Sequence, residues 1–146
     1  MPSLLNNDER DAILARLRRM KPTTAGLWGT LTAPQMICHL CDAMRVALGE
    51  VKAVDRSTPL SRSLLKFLII QTPVQPPPGK VKTAPEMLSS SPEAFAADLA
   101  TCERLLARLG RGEACGTHPA FGPLSTAEWG KLGWKHFDHH LRQFGV

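Results

Sequence analysis

Apolar residues return every three or four positions along most of this chain, the period of a helix that buries one face. Ile13, Leu14, Leu17 and Met20 share one side of a segment predicted to run from Asp8 to Met20, with Asn6 or Asn7 as N-cap and Pro22 closing it. A second helix is predicted from the N-cap Thr32, with Pro34 in its first turn. Its apolar stripe passes through Met36, Leu40, Ala43, Met44 and Ala47 and stops at Gly49. Ser61 to Gln71 has the length of a short helix but the Phe, Ile and Leu content of a buried strand, and helix is the favoured reading.

The stretch TPVQPPPGK, Thr72 to Lys80, is predicted to be a loop, because proline fixes its own backbone angle and steers the preceding residue away from the helical region. Pro73 and Pro76 match a PxxP ligand pattern, but a rigid loop accounts for them as well. Ser91-Pro92-Glu93 signals a fourth helix carrying Phe95, Leu99, Cys102, Leu105, Leu106 and Leu109 to Gly110. Ser125 with Glu128 reads as a capping box for the last helix, which continues to Gln143 with Gly145 after it. No repeat is visible and strand signals are almost absent, so the pattern predicts an all-α domain over residues 1–146, an up-and-down or crossover bundle of four helices plus one shorter element.

With 146 residues and 43% apolar content, the chain is long enough to bury a core of its own. The longest apolar run, Leu64 to Ile70, contains Lys66 and is far shorter than the ~20 residues of a membrane helix. The opening MPSLLNNDERD has neither a basic leader nor an apolar core, so a cytoplasmic location is expected. Without a secretion signal, Cys38, Cys41, Cys102 and Cys115 are expected to be reduced thiols. The net charge of +5 comes from residues interleaved with acids, as in DERDAILARLRRMK, and no base-stacking aromatics accompany them. A solvated basic surface is therefore preferred to nucleic-acid binding.

Candidate chemistry lies in the histidines. His136 and His140 are one helical turn apart and fall in the apolar stripe of the last helix with Trp129, Leu132, Phe137 and Leu141, while Lys131, Lys135, Asp138 and Arg142 fall opposite. Imidazoles in such a stripe need partners for their ring nitrogens, and a pair at this spacing can share one metal ion. His39 lies at the edge of the second helix's stripe and completes a candidate three-nitrogen site with open positions for water or substrate. His139 on the flank and Asp42 one turn after His39 are candidates to support the ligands or to stay on the surface. Cys38 and Cys41 form a CxxC around His39, but inside a helix and without a second CxxC they read as ordinary thiols. His118 falls in a loop that the pattern does not place.

The segment TAPQMICHL around His39 and the terminal KHFDHHLRQFGV resemble the DinB/YfiT-like superfamily, and HPAFGPLSTAEW is similar to a bacterial branch catalogued as a domain of unknown function. The resemblance covers most of the chain. It implies an up-down-down-up four-helix bundle holding a divalent metal on three histidines, here His39, His136 and His140, with Gln143 in the position that follows the pair; the three-imidazole donor set leads us to expect Zn or Ni. Relatives in that superfamily are metal-dependent transferases or isomerases acting with low-molecular-weight thiols, and some pair their bundles. The expected function is thus a metal-dependent thiol transferase or a hydrolase of a small molecule. The alternative is a non-catalytic helical binding or scaffold module, expected as a homodimer.

Overall fold

The computed structural model describes residues 1–77 and 82–146. Among the described residues five α-helices carry the fold: α1 (Asn7–Leu17), α2 (Ala33–Ala47), α3 (Lys66–Gln71), α4 (Phe95–Gly110) and α5 (Thr126–Gln143). A two-residue ribbon, β1 (Thr117–His118) paired antiparallel with β2 (Gly122–Pro123), is the one sheet among the described residues. The fold is therefore mostly helical, with a small ribbon that the sequence pattern did not show.

Helix starts follow local side-chain chemistry. Asn6 accepts from the Glu9 amide, and Thr32 with Gln35 and Ser125 with Glu128 form reciprocal capping boxes. Two boundaries differ from expectation. α1 ends at Leu17 rather than Met20, because the Arg19 and Met20 amides turn back only three residues, to Arg16 and Leu17, ahead of Pro22. α4 starts at Phe95 rather than Ser91, with no side-chain cap on Ala94, and the Asp98 carboxylate instead accepts from the Glu93 amide at 3.1 Å. Ser61–Leu65 is a π-helical turn leading into α3, and of that whole stretch only Ile70 is buried. Thr72–Pro77 is non-helical, as predicted, while Pro78–Lys80 of that loop lie outside the described residues.

α2 is the central element, with Met36, Ile37, Leu40, Met44 and Val46 all buried among residues of α1, α4 and α5. The N-terminal segment lies against α5, where the Leu4 amide bonds the Gly130 carbonyl. A Cβ at Gly133 would meet Leu4 Cδ1 at 2.8 Å, so a larger residue there would have to displace the Leu4 side chain. No helix among the described residues is long and apolar enough to cross a membrane.

Two residues assigned to the solvent face of the last helix are buried instead. The Lys135 amine donates to the Val74 carbonyl at 2.9 Å and to those of Ile69 and Thr72, closing the C-terminal end of α3. Asp138 is held between Arg16, at 2.8 Å, and Arg142. The helical period is read correctly, but it does not show that α3 and α1 cover that face.

Candidate metal centre

α2 presents His39, and α5 presents His136 and His140 from successive turns, so the core of the molecule brings two distant parts of the chain to one point. The three Nε2 atoms form a nearly equilateral triangle with edges of 2.9, 3.1 and 3.1 Å. His39 and His140 are buried and His136 is half-buried.

The other ring nitrogens reveal which tautomers are present. His39 Nδ1 lies 2.7 Å from the Met87 carbonyl, which can only accept, so Nδ1 carries the proton and Nε2 a lone pair. Gln143 donates its amide nitrogen to the Trp28 carbonyl at 2.9 Å, which turns its oxygen toward His140 Nδ1 at 2.7 Å. His140 therefore also carries its proton on Nδ1 and its lone pair on Nε2. Two lone pairs 3.1 Å apart cannot bond each other, and His136 has at most one proton to place between them.

Burial lowers the pKa of all three imidazoles. His136 falls well below its ordinary value, helped by repulsion from His39 and His140, and His140 falls to about 3. Protons are thus poor candidates to occupy the triangle near neutral pH. A metal ion suits it, since an ion ~2.1 Å from each nitrogen would see them at about 90° to one another, as on one face of an octahedron with further positions open. The donor set fits a divalent metal.

The supporting residues differ from the expected set. Gln143 touches His140 directly. Asp42, proposed to accept a ring proton or to join the ligands, does neither: its carboxylate accepts from the Ser90 amide at 2.9 Å and hydroxyl at 2.8 Å, and pairs with Arg45. The ring proton of His39 goes to Met87 on the Pro85–Leu88 turn, and the Trp28 and Met87 carbonyls are backbone atoms that no residue-type signal reveals. His139 is half-buried, edge-on to both Trp28 and His140. Cys38 and Cys41 turn toward α4, with Sγ atoms 3.9 Å from the Asp98 carboxylate and 3.7 Å from its carbonyl, and burial pushes the Cys38 thiol up to about 11. All four cysteines are free.

The triangle opens into a cavity of about 1020 Å³ whose wall includes Met44, Leu65, Ile69, Met87, Phe121 and Trp129. His118, unplaced by the sequence, lines the same cavity. Its ring stacks on Phe121 with centroids 4.7 Å apart, and Nδ1 accepts from the Ala120 and Phe121 amides at 3.1 and 3.2 Å.

A family model described as "Protein of unknown function (DUF1569)" matches residues 2–145. No curated protein and no solved structure matches the chain.

Proposed function

Since the chain belongs to the DUF1569 family, whose description assigns no activity, we propose on the geometry of its site that it is a divalent-metal protein with His39, His136 and His140 as ligands. The observation that carries this reading is the convergence of three Nε2 atoms, two of them lone-pair donors by their hydrogen bonding, at the head of a cavity. Zinc or nickel bound there would act as a Lewis acid and lower the pKa of a bound water or thiol, the chemistry of a hydrolase or a thiol transferase. Residues of the chain supply the rest: Met87 and Gln143 hold the two rings in one tautomer. The helix order and the histidine spacing also support placement in the DinB/YfiT-like superfamily of four-helix bundles, and with it a small-molecule substrate.

Metal analysis of protein purified without an affinity tag tests the assignment. The expected result is about one equivalent of zinc or nickel in the wild type and a loss of most of it in His136→Ala. Equal metal in both, or none in either, would refute it.

A second reading, a homodimeric binding module, is favoured by the outer side of the Leu60–Gln71 stretch. Leu60, Leu64, Phe67 and Leu68 are exposed there at helical spacing, an apolar stripe that a second copy of the chain could cover. Sedimentation of the wild type and of Leu64→Glu separates the cases: a dimer that the substitution dissociates supports this reading, and a wild-type monomer removes it.

A further inference from the structure

The inner surface of the cavity has two properties that the metal reading does not use. Among the described residues no aspartate or glutamate lines it, and the acids nearest the histidines are spoken for: Asp42 by Arg45 and Ser90, Asp138 by Arg16 and Arg142. The three imidazoles are neutral, and so are the acceptors behind two of them, the Met87 carbonyl and the Gln143 amide. A divalent ion on this face would keep its whole charge in apolar surroundings, where an uncompensated charge is costly. The compensating anion has to come with the ligand.

The second property is a fixed polar point at a distance. His118 Nδ1 is occupied by two backbone amides, so the tautomer places the proton on Nε2, at the opposite edge of the ring. Among the described residues that N–H has no protein acceptor, and the ring that carries it lines the cavity. Burial holds the His118 pKa down to about 4, which keeps the ring neutral and the donor in place at pH 7. The ring also packs on Trp129, with centroids 5.5 Å apart, and Trp129 lies seven residues before His136 on α5, about 10 Å along the helix axis. The wall is mostly apolar, with Arg56 and Lys82 also lining the cavity, and about 1020 Å³ is more than water or a small inorganic anion would fill.

Resting on the metal assignment above, we propose that the cavity binds a carboxylate with an apolar body and a hydrogen-bond acceptor at its far end, the head on the histidine face and the acceptor on His118 Nε2–H. A carboxylate fits better than an alcohol because it brings the missing charge, and it binds hard and borderline metals through oxygen. His118 acts as a specificity residue, choosing ligands whose far end is polar.

Calorimetric titration of zinc-loaded, tag-free protein tests this with four probes: acetate, decanol, decanoate and 10-hydroxydecanoate. Decanoate is expected to bind at least tenfold more tightly than acetate or decanol, and at least tenfold more tightly with zinc than without it. The terminal hydroxyl is expected to add about threefold to tenfold in the wild type, as one hydrogen bond does. His118→Phe, which keeps an aromatic ring against Phe121, should lose that increment, read as the ratio of 10-hydroxydecanoate to decanoate affinity within the variant, and His118→Gln should recover part of it. A zinc-loaded protein that does not prefer decanoate, or a hydroxyl increment unchanged in His118→Phe, overturns the inference and leaves the metal assignment standing. A protein that takes up no zinc overturns both.

Discussion

Gln143 shows how much one side chain decides at this site. Its amide nitrogen is committed to the Trp28 carbonyl, so its oxygen faces His140 and sets which ring nitrogen carries the proton. Gly29, with φ +77°, keeps that loop within reach, since a Cβ there would meet Gln143 Nε2 at 2.6 Å. Gln143→Leu is expected to leave all three ligand residues in place and weaken zinc binding about tenfold to a hundredfold, as read by competition with a chromophoric chelator. An unchanged affinity would show that His140 needs no orienting partner.

At the same scale, His118 sets a pH dependence. Its folded pKa of about 4 lies below the ordinary value of 6.5, so the unfolded chain binds the proton more readily. Stability is therefore complete above about pH 6.5 and declines as pH falls toward 4, by an amount on the order of 2 kcal/mol at pH 5 from this residue. Urea unfolding of metal-free protein at pH 7.5 and pH 5 checks it. The difference between the two pH values should shrink in His118→Phe, whereas an identical difference would mean that His118 is protonated as easily in the folded state.

Among the elements, α2 and α5 were legible almost to the residue, because both carry reciprocal capping boxes and long apolar stripes that act within one segment. The ends of α1 and α4 were not, since the first tightens into a turn and the second has no side-chain cap. The polar face of α5 misled for a different reason. Lys135 and Asp138 have the residue types of a solvated surface, and only the arrival of α3 and α1 buries them with partners. Lys135→Met is expected to leave the Ile69, Thr72 and Val74 carbonyls short of a donor and to cost about 1–3 kcal/mol. Limited proteolysis should show faster cleavage within residues 71–77, and unchanged cleavage would argue that α3 is held by packing alone.

For the whole molecule, the core joins the N-terminal segment, α2, α4 and α5 around the point where the histidines meet. A ligand that binds only the folded state stabilises it by mass action, about 2.7 kcal/mol when its free concentration is 100 times its Kd. Zinc is therefore expected to raise the melting temperature of the wild type by several degrees and to leave His136→Ala unchanged, with a chelator reversing the shift. Scanning calorimetry would show this. An equal shift in the variant would place the metal elsewhere.

By itself the sequence determined the helical class, the capped starts of α2 and α5, and the facing of His136 and His140 to one side, since period and capping are local physics within a few residues. His39 could be put on an inward stripe by the same rule. The tertiary structure decided what no period encodes: that the Nε2 atoms of residues 97 and 101 positions apart lie about 3 Å from one another. It also decided that backbone carbonyls of Met87 and Trp28 stand behind the rings, and that the loop histidine His118 shares their cavity. Those facts depend on how separately formed helices and loops pack, and packing across such distances leaves no mark in the spacing of residues along the chain.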